Sequence, residues 1–135
     1  MVLDASVVVE LITNSQLGDL ARLDLSNWDG PLMAPYLLDL EVLSALRGLN
    51  AARKIDSHRA HEALVDLEAL QIERHSHLPL VGRIWELRQN FTCYDASYIA
   101  LAEATNSVLY TSDRKLLTGH RARVAMPGSG LTFLN

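Results

Sequence analysis

Short apolar runs alternate along this chain with longer stretches whose apolar residues recur every three or four positions, and few folds accommodate that alternation. The opening "MVLDASVVVEL" sets the pattern. Residues 1 to 4 read as a short buried strand ending on an acid, Asp4, and a helix follows from Ser6 to about Ile12. "SQLGDLARLDL" is loosely helical, "WDGP" breaks the chain with turn residues, and "LMA" reads as a second strand. From Tyr36 the pattern is strongly helical, with Leu38, Val42, Ala45 and Leu49 on one stripe and Leu40, Leu43 and Leu46 beside it, a wide face to lay on a sheet. A further helix is expected from near Ser57 to Leu70, with Ala60, Leu64, Leu67 and Leu70 inward, then a strand at "LQIER". Past Pro79, "LVGRIWELRQN" places Val81, Ile84, Trp85 and Leu87 on one apolar side and stops at Asn90. "YDASYIALAEATN" is an Ala-rich helix, "SVLYTS" a strand, and "DRKLLTG" a short helix ended by Gly119. The tail "VAMPGSGLTFL" holds one or two edge strands around a Gly-Ser-Gly hairpin turn. Short strands separated by helices imply an α/β domain with three layers: a mainly parallel, twisted sheet with helices on both sides.

At 135 residues, with neither an internal repeat nor a linker, the chain reads as one domain over residues 1–135, able to bury roughly two-thirds of its unfolded surface. Hydrophobic residues make up 49% and charged residues 21%, the balance of a folded globule rather than of a disordered chain. No apolar run approaches the ~18 residues of a membrane span, and no basic segment leads a cleavable apolar stretch, so a soluble, cytoplasmic protein is expected. A single cysteine, Cys93, excludes an internal disulfide and a thiolate zinc cage. The net charge of −4 excludes grip on nucleic acid by bulk positive charge. If such a chain handles nucleic acid, a bound metal ion must help hold the phosphate.

Most of the sixteen acids fall on polar helix faces. Four do not. Asp4 ends the first strand, Glu41 lies inside the most apolar helix, Asp95 opens the Ala-rich helix, and Asp113 follows the strand "SVLYTS". Ligands of open α/β sheets bind beyond the carboxyl ends of the strands, where these junctions lie. Converging carboxylates raise one another's pKa, and a hard divalent cation, Mg²⁺ or Mn²⁺, relieves that conflict while leaving positions open for phosphate oxygens. A metal-dependent phosphodiesterase would result. Ser6, Thr111 and Ser112 stand where their hydroxyls could support a carboxylate or a water ligand. Taken singly, Asp4, Asp95 and Asp113 are equally suited to capping a helix, and Glu41 to an exposed turn beside Ser44 and Gly48.

The stretches "VLDASVVVEL", "APYLLDLEVLSALR", "YDASYIALAEA" and "LYTSDRKLL", in that order over residues 2 to about 117, resemble PIN-domain proteins, in particular VapC toxins of type II toxin–antitoxin systems. The resemblance implies that Asp4, Glu41, Asp95 and Asp113 are an acidic quartet binding Mg²⁺ or Mn²⁺ for RNA hydrolysis, with Ser6 supporting Asp4. It prefers Glu41 to Asp39, which would project roughly 200° away on the helix. It further implies an endoribonuclease toxin acting on tRNA, rRNA or mRNA, a homodimer, and a VapB-like antitoxin covering the groove. One departure stands out: where many members carry another acid after the T-x-D position, this chain has Arg114 and Lys115.

Positive charge could rim the acidic groove through Arg47, Arg53 and Lys54 on one side and Arg114, Lys115, Arg121 and Arg123 on the other, with Arg47, Arg114 and Lys115 as candidate RNA-backbone contacts. His58 and His61 with Glu62, and His75 with His77, lack a third positioned ligand for zinc. Trp28, Trp85 and the tyrosines are too scattered for a base-stacking platform. Two competing functions follow: a non-catalytic PIN-like module that binds RNA or protein, and a Mg²⁺-dependent phosphatase or phospho-acceptor domain. The latter would want an Asp where Ser6 stands.

Overall fold

A computed structural model describes residues 1–131. Five strands form one sheet in the order β3-β2-β1-β4-β5: β1 (Val2–Leu3), β2 (Leu32–Pro35), β3 (Ile72–His75), β4 (Leu109–Tyr110) and β5 (Val124–Ala125). Every pairing is parallel, with Val2 opposite Met33 and Leu109, and Leu3 opposite Tyr110. Both residues of β1 are wholly buried, because a central parallel strand is covered on both faces.

Parallel neighbours need crossovers, and these are right-handed. From β1 the chain steps to β2 through α1 (Ala5–Ile12) and α2 (Gln16–Ser26), and on to β3 through α3 (Leu37–Ala51) and α4 (Ser57–Ala69). All four therefore cover one face, with α1 packed on α2, α3 and α4. The return from β3 to β4 runs the other way, so α5 (Val81–Glu86) and α6 (Cys93–Ala104) cover the opposite face, α6 lying on β1 and β2. Three layers result, as expected.

The expected apolar faces are narrower in the fold. On α3 only Leu38, Val42 and Leu46, one residue per turn, are buried; Leu40 and Leu43 stand in solvent, and Ala45 and Leu49 are half-buried. On α4 the deepest residues are Ala63 and Leu67, not Ala60. "LVGRIWELRQN" is a six-residue helix between two 3-10 turns, too short to carry a continuous stripe: Ile84 and Leu87 turn inward while Val81 and Trp85 face out. "DRKLLTG" makes a single 3-10 turn, Arg114–Leu116, and Gly119 follows with φ +96°. The Gly-Ser-Gly segment turns, but β5 pairs in parallel with β4, so it closes no hairpin among the described residues. A second edge strand at "TFL" would lie outside them.

That turn is tied instead to α2. The buried carboxylate of Asp24 accepts from the Tyr110 hydroxyl at 2.7 Å and from the Gly128 amide at 3.1 Å, joining helix, central sheet and tail. A hydrogen bond to a buried charge is worth about 1.5–3 kcal/mol. Tyr110→Phe should cost about 2 kcal/mol in urea unfolding at an unchanged m-value; an unaltered midpoint would show that Asp24 is satisfied without it.

Candidate active site

The chain leaves β1 towards one edge of the sheet and β4 towards the other, so the carboxyl ends of these adjacent strands form the switch point at which open parallel sheets have their ligand crevice. Asp4 and Thr111 stand directly past the two strands.

Asp4 occupies the N-cap position of α1 with extended backbone (φ −74°, ψ 149°), and its amide donates to Tyr110 O at 3.0 Å. Its side chain does not cap the helix. Instead Oδ2 accepts from Ser6 Oγ at 2.6 Å and from Thr111 Oγ1 at 2.8 Å. Each hydroxyl has one proton to give, so both are spent on Oδ2, and the 3.3 Å approach of Ser6 Oγ to Thr111 Oγ1 carries none. The hydroxyls are themselves oriented by backbone: Ser112 N–H donates to Ser6 Oγ at 3.1 Å and Asp113 N–H to Thr111 Oγ1 at 3.0 Å. Ser6 and Thr111 therefore lock the Asp4 carboxylate in one orientation. Ser112 contributes its amide.

Asp113 does cap, accepting at Oδ1 from Lys115 N–H at 3.0 Å. Asp95 does not. Thr92 is the N-cap of α6 and its hydroxyl accepts from Asp95 N–H at 3.1 Å, which leaves the Asp95 carboxylate unneeded by the helix. Glu41 is half-buried on α3, with Oε1 buried and without a hydrogen-bond partner. Asp39, two residues earlier, faces elsewhere and pairs with Arg74 through both oxygens, at 2.7 and 3.1 Å.

The acids feel one another. Burial raises the pKa of Asp4, with the negative charge of Asp113 adding to it while the hydroxyls of Ser6 and Thr111 pull it down. Glu41 is raised by burial, pulled back by the neighbouring Tyr98 hydroxyl, and pushed up again by Asp4 and Asp95; Asp95 is raised by burial and then by Asp4 and Asp113. Lys115 alone among the cations offsets Asp95. Among the described residues, no three acidic, imidazole or thiol side chains are gathered as tightly as a ready-made metal cage. The donor set nonetheless suits a hard cation that keeps several waters: it is all oxygen, mutually repelling, and includes one buried oxygen with nothing bound to it.

Arg47, Arg114 and Lys115 are exposed. Arg47 lies ~9 Å along α3 from Glu41 and ~120° round it, off the face that carries the acid. Arg121 and Arg123 do not rim the crevice. They precede β5, and in a parallel sheet that puts them at the opposite edge, where Arg121 N–H donates to Glu103 at 2.8 Å and Arg123 to Asn106 O at 3.2 Å. His58 pairs with Glu62 at 3.2 Å on the surface of α4.

Two contributors escaped sequence reasoning. Thr92 gave a signal, a threonine three residues before Asp95, as an N-cap demands. Tyr98, whose buried hydroxyl lies beside Glu41, gave only its place one turn past Asp95 in an apolar helix.

The PIN domain matches residues 1–118. The chain is 41% identical over 85 residues to the VapC ribonuclease Mb0985 of Mycobacterium bovis, covering 63% of this chain and 67% of that protein. It is 38% identical over 121 residues to ribonuclease VapC1 of Mycobacterium tuberculosis (85% and 86%), and 31% over 128 residues to ribonuclease VapC12 (93% and 98%). Among solved structures, PAE2754 of Pyrobaculum aerophilum shares the fold at TM-score 0.65 and 23% identity, covering 93% of this chain and 87% of that one. M. tuberculosis VapC20, described as a sarcin-ricin loop cleaving toxin, does so at TM-score 0.62 and 15% identity, covering 84% and 89%. Matched over most of its length, and sharing this identity with curated relatives, the chain belongs to the PIN-domain family and within it to the VapC group.

Proposed function

We propose that this protein is a metal-dependent endoribonuclease toxin whose site is Asp4, Glu41, Asp95 and Asp113, with Mg²⁺ or Mn²⁺ as its cofactor. The observation that carries the reading is a buried Glu41 oxygen left unbonded beside acids whose pKa values burial raises, Glu41 being pushed up further by Asp4 and Asp95, and Asp95 by Asp4 and Asp113. A folded chain retains such uncompensated like charges where a cation completes them. A bound divalent ion stabilises charge developing on the phosphate and lowers the pKa of the attacking water.

The chain's own groups do the rest. Ser6 and Thr111 hold Asp4 in one orientation, so that its position is set before substrate arrives. Thr92 caps α6 and frees the Asp95 carboxylate to face the crevice. Asp113 presents its second oxygen while the first caps the 3-10 turn. In hydrolysis the water oxygen bonds to phosphorus as the bond to the leaving sugar oxygen breaks, and a carboxylate with raised pKa is suited to take the water's proton. Arg114 and Lys115 stand in the place of the acid found in many relatives and contact RNA phosphates, whereas Arg47, off Glu41's face of α3, is left out of that contact. The substrate is RNA; tRNA, rRNA and mRNA are the candidates.

A second copy of the chain and a VapB-like antitoxin are the proposed partners, in the cytoplasm. Large apolar side chains support this: Leu40 (68% exposed), Trp85 (61%) and Tyr94 (64%) stand in solvent, and an apolar cavity of about 380 Å³ lies between Leu37, Trp85 and Tyr94, next to Glu41's helix face. Among the described residues no helix is long and apolar enough to cross a membrane.

The test is cleavage of a structured RNA by the purified chain, freed of antitoxin. Activity is expected with Mn²⁺ or Mg²⁺, none in EDTA, and recovery when excess metal is restored. Equal cleavage in EDTA would refute metal dependence, and tight RNA binding without any cleavage would leave a non-catalytic module.

A further inference from the structure

Tyr98 is one of the largest wholly buried side chains, and its hydroxyl finds no hydrogen-bond partner. The same is true of Glu41 Oε1. Buried polar atoms in folded proteins are nearly all paired, so two orphans side by side need one explanation rather than two. They are chemically complementary: a phenol has a proton to give and a carboxylate only accepts. The groups are close enough for each to shift the other's pKa, yet neither buried atom has a partner at full hydrogen-bond distance and angle. Tyr98 also lies three residues after Asp95 on α6, which stacks it one turn along the same helix face. Its ring is fixed by the packing around it, and phenylalanine would fill that volume without stranding a hydroxyl.

We infer that Tyr98 is a positioning residue for Glu41, donating its hydroxyl to Oε1 when the carboxylate turns to bind the divalent cation and so holding the other oxygen towards the metal. The inference rests on the metal-dependent reading of the site. It places Tyr98 behind a ligand, in the way outer hydrogen bonds orient ligating carboxylates, whose removal typically costs 10- to 100-fold in metal affinity. Lewis acidity at the crevice is untouched by it; what changes is how readily Glu41 reaches the ligating pose.

The test is Tyr98→Phe, which deletes the hydroxyl and keeps the ring. Mn²⁺ binding to the RNA-free protein is measured by titration calorimetry, thermal unfolding in EDTA gives the fold, and cleavage is followed against Mn²⁺ concentration. We expect an unfolding midpoint in EDTA equal to or above that of the wild type, because an unpaired hydroxyl has gone. Mn²⁺ affinity should fall about 10-fold, and cleavage should return to the wild-type rate at saturating Mn²⁺. Wild-type Mn²⁺ affinity in the variant, within twofold, overturns the inference and leaves the metal-dependent reading standing. So does a lowered midpoint with unchanged affinity, which marks a purely structural tyrosine. A wild-type chain that binds no Mn²⁺ overturns both.

Discussion

Asp95→Asn is expected to lower RNA cleavage by about 10³-fold, or ~4 kcal/mol of transition-state stabilisation, without loosening the fold. Asparagine keeps the size of the side chain and the amide that donates to Thr92, so the start of α6 is preserved. What disappears is one negative charge from a cluster in which Asp95 raises the pKa of Glu41 and is itself raised by Asp4 and Asp113. In metal-free buffer the variant should therefore unfold at the same temperature as the wild type or higher, the mark of a site that costs stability for function. The effect has a pH sign. Carboxyls with raised pKa keep protons in the folded chain that the unfolded chain has already released, so stability contributed by the cluster falls as pH rises past the ordinary carboxylate range. The variant's advantage in EDTA should grow over that interval. Melting curves at a series of pH values, beside single-turnover cleavage in Mn²⁺, test both halves. Full activity would remove Asp95 from the site, and a destabilised metal-free variant would mean the charges are not in conflict.

Gly18→Ala should be the more damaging change to the fold, although helix propensity alone favours alanine by about 1 kcal/mol. The reason is the contact between α1 and α2. A Cβ on Gly18 would lie 2.1 Å from the Glu10 carbonyl oxygen and 2.7 Å from its carbon, both backbone atoms that no rotamer change can move. Ser15 draws the two helices together there, its hydroxyl accepting from Gly18 N–H at 3.0 Å and bonding back to the Glu10 carboxylate. Room for a methyl group can come only from separating the helices, at a net cost of about 3 kcal/mol. Chemical denaturation should show that loss, and the melting temperature should drop roughly 10 °C. Since α1 begins at Ala5, directly past Asp4, metal affinity is a second readout of the same displacement. A variant as stable as the wild type would mean that α2 is free to shift.

Which parts of this molecule could be read before folding follows from how far each signal reaches along the chain. The strands at "VLD", "LMA" and "QIER" are short runs bounded by turn signals and the helices are patterns of period 3.6, and they appear where those local signals put them, although the stretch past Pro79 keeps only six helical residues. The width of the apolar faces is not a local signal. Leu40, Leu43, Val81 and Trp85 are as hydrophobic as their buried neighbours, and only contact with the sheet decides which of them is covered. Arg121 and Arg123 follow Asp113 closely enough in sequence to suggest that they share its crevice. Parallel pairing of β5 carries them to the other edge of the sheet, since a parallel neighbour must restart where β4 began.

The acids divide in the same way. That Asp4 and Asp113 follow strands, Asp95 opens a helix and Glu41 lies one turn inside another is a property of spacing, and so was visible in the sequence, as was the family to which their surrounding stretches point. Whether the side chains of Asp4, Asp95 and Asp113 cap their helices was not, because capping and metal binding ask for the same residue at the same place. The tertiary structure decides it through partners distant in sequence: Thr111, 107 residues from Asp4, takes part in turning that carboxylate away from its helix, Thr92 relieves Asp95 of capping, and Asp113 caps with one oxygen. By itself the sequence determined the order of elements, the α/β class and the four candidate acids, since periodicity and turn chemistry are written in neighbouring residues. Only the tertiary structure decided which oxygens are held, which are left unbonded and which tyrosine stands behind Glu41, because those depend on strands and helices meeting across the whole length of the chain.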